Sequence, residues 1–289
     1  MQARTVRRLL YLAGFIALLV FLLRREHTGN LPIGRDRLGF LTIDGVITTS
    51  DELVDDIEQL AANPHVRGLV VRIDSPGGGV APSQEIHDAL VRFEGDGDRP
   101  VVVSMGNIAA SGGYYVACGA DKIVADPGTL TGSIGVIMYF TQFHDLLDRL
   151  GVHAEAIKTG TFKDIGSPTR EMTDEERALL EDVLDNVLDQ FVAAIAEGRG
   201  MAEEDVRAVA DGRIFSGEQA KEHGLVDELG GLHDAIQLAG DLTGLGPHPE
   251  LLRPQESGVR KLRDIIDGSA VGRFLPASTL QGLCFLYRY

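Results

Sequence analysis

The sequence predicts an α/β domain built on a largely parallel sheet, and three observations carry that prediction. Beyond residue 37, short apolar runs of strand character alternate with stretches whose apolar residues recur at helical spacing. Two glycine clusters, Gly77 to Gly79 and Gly112 to Gly113, each follow directly on such a run, which places them at one carboxyl edge of the same sheet. The longest helical pattern opens with Thr173 followed three residues later by Glu176, a capping box.

Taken in order, residues 38–43 read as the first strand, and residues 51–61 as a helix with Leu53, Ile57 and Leu60 on one face. Residues 68–73 form a buried strand running into Asp74-Ser75-Pro76-Gly77-Gly78-Gly79. Ser83 is expected to cap a helix reaching Phe93, with Ile86, Leu90 and Phe93 periodic. Residues 100–104, 122–125, 134–138 and 153–157 read as further strands, with a helix over 142–150 between the last two. The long helix from Thr173 to Gly198 buries Leu180, Val183, Leu184, Val187, Leu188, Phe191 and Ile195, and its charged residues read as a solvated face. Helices over 202–210, 217–222 and 232–242 complete the domain. The expected organisation is a membrane anchor (1–26), a linker (27–37), the α/β domain (38–243) and a C-terminal extension (244–289), whose apolar end, 283–287, could dock on the domain or on a neighbour.

Among 27 basic residues only five are lysines (Lys122, Lys158, Lys163, Lys221 and Lys261), against 43 carboxylates and a net charge of -16. Such a balance repels nucleic acid, whose binding needs clustered cations. It is also what a salt-adapted protein would show, because dense salt screens the self-repulsion of an acidic surface. Cys118 and Cys284 read as two ordinary thiols, and the eight histidines include no HExxH spacing. No metal and no cofactor are expected.

Residues 9–23 are apolar apart from Gly14 and the Tyr11 hydroxyl, with Arg7 and Arg8 before them and Arg24 and Arg25 after. As a helix rising about 1.5 Å per residue this run falls short of a hydrocarbon core of about 30 Å, but the flanking arginines can snorkel to extend it. The segment after it lacks an A-x-A cleavage site, which favours an uncleaved anchor in membrane lipid over a removed signal peptide. The expected location is a cell membrane crossed once, with the larger domain outside.

Ser111 follows a strand at what reads as a helix start, where unpaired N–H groups and two glycines could hold an oxyanion. Taken alone, the segment reads equally as a serine cap with glycines for close packing. Gly77 to Gly79 could supply a second set of backbone donors; a phosphate loop is excluded, since neither Gly-Lys-Ser/Thr nor G-x-G-x-x-G is present there. A nucleophilic serine needs a base, and no histidine sits in a catalytic context. Lys163 could serve if its pKa fell from about 10.4 to roughly 7 to 8, about 3 to 4 kcal/mol of differential stabilisation. Phe162 and Ile165 would suit a partly apolar site, whereas Asp164 would oppose the shift if it faced the amine. By spacing alone Lys163 also reads as a surface lysine.

Taken together, four ordered motifs closely resemble the signal peptide peptidase A family in its short, single-domain form. They are Ile73-Asp74-Ser75-Pro76-Gly77-Gly78-Gly79, Ala109-Ala110-Ser111-Gly112-Gly113-Tyr114-Tyr115, Leu130-Thr131-Gly132-Ser133-Ile134-Gly135-Val136, and Lys163-Asp164 with Ser167-Pro168. The resemblance spans residues 38–240 and includes Ala210-Asp211-Gly212-Arg213 and Gly224-Leu225-Val226-Asp227-Glu228. It implies a Clp-protease/crotonase-like fold, a repeated ββα superhelix, and a Ser/Lys dyad that cleaves peptides, notably released signal peptides. By position it implies Ser111 as nucleophile, Lys163 as general base, Ser133 as the residue orienting the lysine, and the backbone N–H groups of Gly78 and Gly112 as the oxyanion hole. It further implies a dome-shaped homo-oligomer, an octamer, in which adjacent subunits share each site. Two rivals remain: a crotonase-type acyl-CoA enzyme, since that fold's oxyanion hole serves thioesters equally, and a non-catalytic membrane scaffold.

Overall fold

A computed structural model describes residues 34–95, 99–255 and 284–286, the last as backbone alone. The chain divides into two compact units, Met1–Arg35 with Gln255–Ser278 and Asp36–Pro254 with Thr279–Tyr289, and the elements described here belong to the second. The expected anchor, residues 9–23, lies outside the described residues. Among the described residues no helix is long and apolar enough to cross a membrane.

An eight-stranded sheet forms the frame. Its central strands are β1 (Arg37–Asp44), β2 (Val66–Ser75) and β4 (Val101–Ala110), all parallel, with β3 (Gly77–Gly79) standing off the end of β2 in a separate two-stranded sheet. β1 pairs on its outer side with β9 (Leu251–Leu252). The first half of β4 pairs with β5 (Lys122–Ala125), which carries β8 (Glu228–Leu229) on its far side. The second half of β4 pairs with β6 (Leu130–Gly132), also parallel, and β6 pairs antiparallel with β7 (Ile214–Ser216). Parallel strands buried on both faces need apolar residues at successive positions. Thus Leu69, Val71 and Ile73 of β2 belong to one core cluster while the intervening Val70 joins Phe40, Val102 and Val124 in a second.

The helices cover both faces. α1 (Asp51–Ala61), α2 (Val80–Gly95), α3 (Gly112–Ala117) and α5 (Asp174–Arg199) enclose the larger core, in which Leu60, Ile86, Phe93, Tyr114 and Phe191 are fully buried. α8 (Leu232–Leu242) supplies Ala235 and Ala239 to the second core. Shorter helices are α4 (His144–Arg149), α6 (Glu203–Arg207) and α7 (Gly217–Glu222).

The limits expected for α1, α7, α8 and β5 coincide with those observed. Three expectations are corrected. Ser83 does not cap α2, which begins three residues earlier at Val80; its hydroxyl instead donates to the Gly79 carbonyl (2.8 Å) within the first turn. Residues 134–138 and 153–157 form no strand. These runs have β propensity, but a strand exists only where a neighbour completes its hydrogen bonds, and much of their surroundings lies open: Tyr139, Phe140, Phe143, Leu146, Leu150, Val152 and Ile157 are exposed, Ile157 fully. Glu176 is not part of a solvated face, since it is buried and ion-paired.

The two halves of β4 meet at a bend that Asp74 fills. Ile73 pairs with Met105 and Ser75 with Ala109, so β4 carries extra residues across from Asp74. The Asp74 carboxylate accepts from the Ile108 N–H (3.1 Å), and a Cβ on Gly106 would come within 2.7 Å of the Asp74 Cγ. Glycine at 106 is what lets the carboxylate enter. Asp74→Ala is therefore expected to destabilise the domain by about 1 to 3 kcal/mol, the penalty for an orphaned buried donor. Asp74→Asn, which keeps the acceptor, should recover most of that loss in urea unfolding.

Candidate active site

Ser111 stands where β4 passes into α3 and is buried. Its backbone has φ 52° and ψ -117°, a region that a side chain makes unfavourable. Among the described residues, the non-glycine residues with positive φ are Ser111 and Ser133 (φ 51°). Two of the expected site residues are thus the two that hold strained backbone, a condition that persists only when the surroundings over-determine it.

Those surroundings can be traced. Ala110 and Gly132 are register partners on β4 and β6, so each serine lies one residue beyond the same paired position on adjacent parallel strands, which run roughly 4.8 Å apart. The Ser111 N–H donates to the Gly132 carbonyl (2.8 Å), and the Thr131 hydroxyl donates to the Ala109 carbonyl (2.7 Å). The Ser133 N–H donates to the Arg213 carbonyl (2.8 Å), and the Gly212 N–H to the Ile134 carbonyl (3.0 Å). An Asp211–Arg213 ion pair closes that loop, and its hydrogen bonds hold the Asp211 carboxyl at about 2. The Ala210-Asp211-Gly212-Arg213 motif therefore fixes the backbone of Ser133.

Gly112 opens α3 and is buried. The first backbone bond of that helix is donated by Tyr115 to the Ser111 carbonyl (2.8 Å), so the N–H groups before it precede the helical ladder. Gly78 lies in β3, on which α3 packs. A Cβ there would sit 2.0 Å from the Ile47 carbonyl oxygen, so no larger residue fits. The Ile47 N–H donates to the Gly77 carbonyl (2.9 Å) and the Gly79 N–H to the Ile47 carbonyl (2.8 Å). Because strand groups alternate in direction, the N–H and C=O of Gly78 point to the opposite edge. That edge carries β10 (Cys284–Leu286), antiparallel, with Phe285 opposite Gly78.

Lys163 is joined to none of these groups by a hydrogen bond. It is exposed, in a segment of turns, and among the described residues its amine has no hydrogen bond or ion pair. The partly apolar burial expected for it is absent in the single chain, and its neighbour Phe162 is also exposed. Asp164 does not face this amine: its carboxylate binds Arg170 (Nε 2.9 Å, Nη2 2.9 Å) and Lys158. Arg170 also pairs with both oxygens of Glu176, the buried capping-box residue of α5. The loop that carries Lys163 is thus clamped to the start of the longest helix. The Phe143 N–H adds a bond to the Pro168 carbonyl (2.7 Å).

Arg170 was not legible as a site component, since its partners lie six residues away on either side, Asp164 in irregular chain and Glu176 in the first turn of α5. Asp227 was likewise missed. It joins the last turn of α5 to β5 through the Arg199 guanidinium (2.7 Å) and the Ile123 N–H (2.8 Å). Tyr114, within α3, and Cys118, at its C-terminal end, are packed too deeply to ionise: burial pushes Tyr114 well above its usual value and Cys118 up to about 12.

Two outcomes follow. Ser111→Gly relieves backbone strain worth about 1 to 3 kcal/mol, less the roughly 0.5 to 1 kcal/mol entropic penalty of glycine. It should unfold at higher urea than the wild type, whereas Ser111→Ala should not. For the clamp, hydrogen bonds from Arg170 hold Glu176 at about 2, against 4.5 for the free group, and hold Asp164 lower still. The unfolded chain then binds more protons, so this stabilisation is fully present above pH 4.5 and is lost as pH falls through about 2. The difference in melting temperature between wild type and Arg170→Ala should accordingly be largest above pH 4.5 and shrink on acidification.

The chain is similar to known peptidases. A family model described as Peptidase family S49 matches residues 94–246, more than half of the chain. A Synechocystis sp. protein that is a protease by name is 50% identical over 179 residues, 62% of this chain and 64% of the relative. Protease 4 of Salmonella typhi is 34% identical over 78% of this chain and 38% of its own length. The chloroplastic serine protease SPPA of Arabidopsis thaliana is 32% identical over 90% of this chain and 40% of its own length. The chain therefore spans less than two thirds of each of these relatives. Among solved structures, a ClpP1 variant from Listeria monocytogenes aligns with a TM-score of 0.47 at 19% identity, over 68% of this chain and 94% of that one. By the match over residues 94–246, the chain belongs to peptidase family S49.

Proposed function

We propose that the protein is a membrane-anchored serine endopeptidase that hydrolyses apolar peptides, released signal peptides among them, with Ser111 as nucleophile and Lys163 as general base. The observation that carries this reading is the strained, buried backbone of Ser111 beside the equally strained Ser133, in a chain of peptidase family S49. In this reading neutral Lys163 takes the hydroxyl proton as Ser111 attacks the scissile carbonyl, and the ammonium then protonates the leaving amine. Water hydrolyses the acyl ester by the same route. The N–H groups of Gly78 and Gly112 receive the oxyanion, and Ser133 orients the lysine.

The exposure of Lys163 supports a site shared between subunits: its amine is free to reach a neighbour's Ser111, while the Arg170 clamp holds its loop in place. Exposed Tyr139, Phe140, Phe143, Leu146 and Leu150 would be covered in such a homo-oligomer, an octamer in this proposal. Pairing of β10 with β3 supports the extended binding of substrates, because it is an instance of a peptide strand added to the Gly77 to Gly79 edge. Residues 9–23 would anchor the chain in a cell membrane, with the catalytic domain outside.

Purified full-length chain should cleave an apolar signal-peptide-like substrate and leave acyl-CoA untouched. Ser111→Ala and Lys163→Ala should each lower kcat on the order of 10^4-fold or more. Mixing the two inactive variants should restore measurable turnover, since shared sites then combine an intact serine with an intact lysine. Cleavage that survives both substitutions would sink the dyad, and thioester hydrolysis without peptide cleavage would favour the crotonase-type reading.

A further inference from the structure

We infer that Arg170 and Lys158 are positioning residues for the general base: by holding both oxygens of Asp164 they keep that carboxylate off the adjacent Lys163 amine, which is then free to meet a neighbour's Ser111 as a neutral base. The inference rests on the dyad reading above and adds to it how the lysine is kept usable.

The difficulty these residues resolve lies in the chain itself. Lys163 and Asp164 are consecutive, with Cα atoms about 3.8 Å apart, so an unengaged Asp164 side chain would lie within reach of the amine and stabilise its ammonium. An ammonium has no lone pair with which to accept the serine proton. In the structure the carboxylate is turned to other partners. Its Oδ2 accepts from Arg170 Nε and its Oδ1 from Arg170 Nη2, both at 2.9 Å, and Oδ1 also accepts from the Lys158 amine. Those bonds, from Arg170 first and Lys158 next, hold the Asp164 carboxyl far below the usual carboxylate range. Lys158 is itself placed by a bond to the Thr161 carbonyl (2.8 Å), and Arg170 Nη2 reaches the Asp164 carbonyl (3.2 Å). Both cations thus act on the turns that carry Lys163.

The charges also balance. Lys158, Asp164, Arg170 and Glu176 form a chain of alternating sign, in which Arg170 binds Glu176 through Oε2 (2.8 Å) and Oε1. Removing Arg170 leaves two carboxylates against one ammonium near Lys163. Other charged groups packed about this loop face one another: His144 lies against Asp145 (3.3 Å) and Glu171 (3.5 Å), and His153 against Asp148 (4.0 Å). The loop has fastenings that do not involve Arg170. The Phe143 N–H binds the Pro168 carbonyl (2.7 Å), and the Phe140 ring comes within 2.3 Å of where a Cβ on Gly166 would stand. The effect of charge is therefore separable from loss of the loop.

The test is the pH profile of kcat/KM for cleavage of an apolar peptide by detergent-solubilised full-length chain. Wild type is compared with Lys163→Ala, Arg170→Ala, Lys158→Met and the double variant Arg170→Ala with Asp164→Asn. Wild type is expected to lose activity towards acid as Lys163 takes up a proton. With Asp164 released the ammonium persists to higher pH, so the acidic limb of Arg170→Ala should move up by about one pH unit, about a tenfold loss on that limb, with the alkaline plateau retained. Adding Asp164→Asn should bring the limb back. Lys158→Met should move it in the same direction; it breaks an exposed pair and serves if Arg170→Ala, which also strips Glu176 of its partner, does not fold. Equal loss at every pH with the limb unmoved, in whichever of these variants folds, would make the clamp purely structural and overturn the inference, as would a limb that Asp164→Asn fails to restore. Histidine also titrates in this range, so a limb that moves with His144→Gln would overturn it too. In each of these outcomes a cleavage that still needs Lys163 leaves the dyad standing, whereas cleavage by Lys163→Ala would remove the dyad and this inference together.

Discussion

Everything near the candidate site depends on how β4 is shared. One ten-residue strand pairs with β2 along one side, and along the other with β5 in its first half and β6 in its second. The change of partner occurs at the bend around Gly106, and the Asp74 carboxylate, reaching across from β2, makes that bend possible by capping the Ile108 N–H. Without the bend the upper half of β4 would not meet β6, and Ser111 and Ser133 would not end adjacent strands. A half-buried acidic side chain among the apolar strands is thus explained by backbone geometry.

Around this centre, ion pairs fasten the loops that hydrophobic packing alone leaves free. Asp211 with Arg213 holds the segment that binds Ser133. Arg170, between Asp164 and Glu176, ties the Lys163 loop to α5. Asp227 with Arg199 joins the far end of α5 to β5. Glu176 serves two masters: its carboxylate accepts the Thr173 N–H as the return bond of the capping box while pairing with Arg170. Capping and clamping are therefore one unit, and loosening either end frees both. Such pairs at the surface are individually weak, yet here each acts on a loop with little else to fix it.

Local signals explain what the sequence made legible. The limits of α1, α7 and α8 follow from periodicity and end signals that reside within the element, as does the start of α5. Residues 134–138 and 153–157 looked like strands for the same local reasons, but pairing is a property of two segments, and among the described residues neither is paired along its length, Ile137 forming a bridge alone in the first. The candidate serines were visible through their flanking glycines and ordered motifs, whereas the left-handed backbone they adopt leaves no mark in composition. A catalytic Lys163 would call for a partly apolar site, whereas by spacing alone it also read as a surface lysine; in one chain it is exposed, and a sequence carries no local mark of what a second copy would cover. The ion pairs were missed for a simpler reason. Charges brought together by loops have no spacing rule.

The backbone strain at Ser111 and Ser133 also sets an evolutionary ratchet. Glycine would adopt φ near 50° with less penalty at either position, so selection on folding alone pulls both away from serine. Two strained serines side by side therefore lower stability, a cost that in the proposed reading is offset by the use of their hydroxyls. A descendant released from that use would be free to exchange them for glycine and become a firmer, inert copy of the same sheet, so the state of these two positions in any descendant is a record of whether its chemistry is still in service.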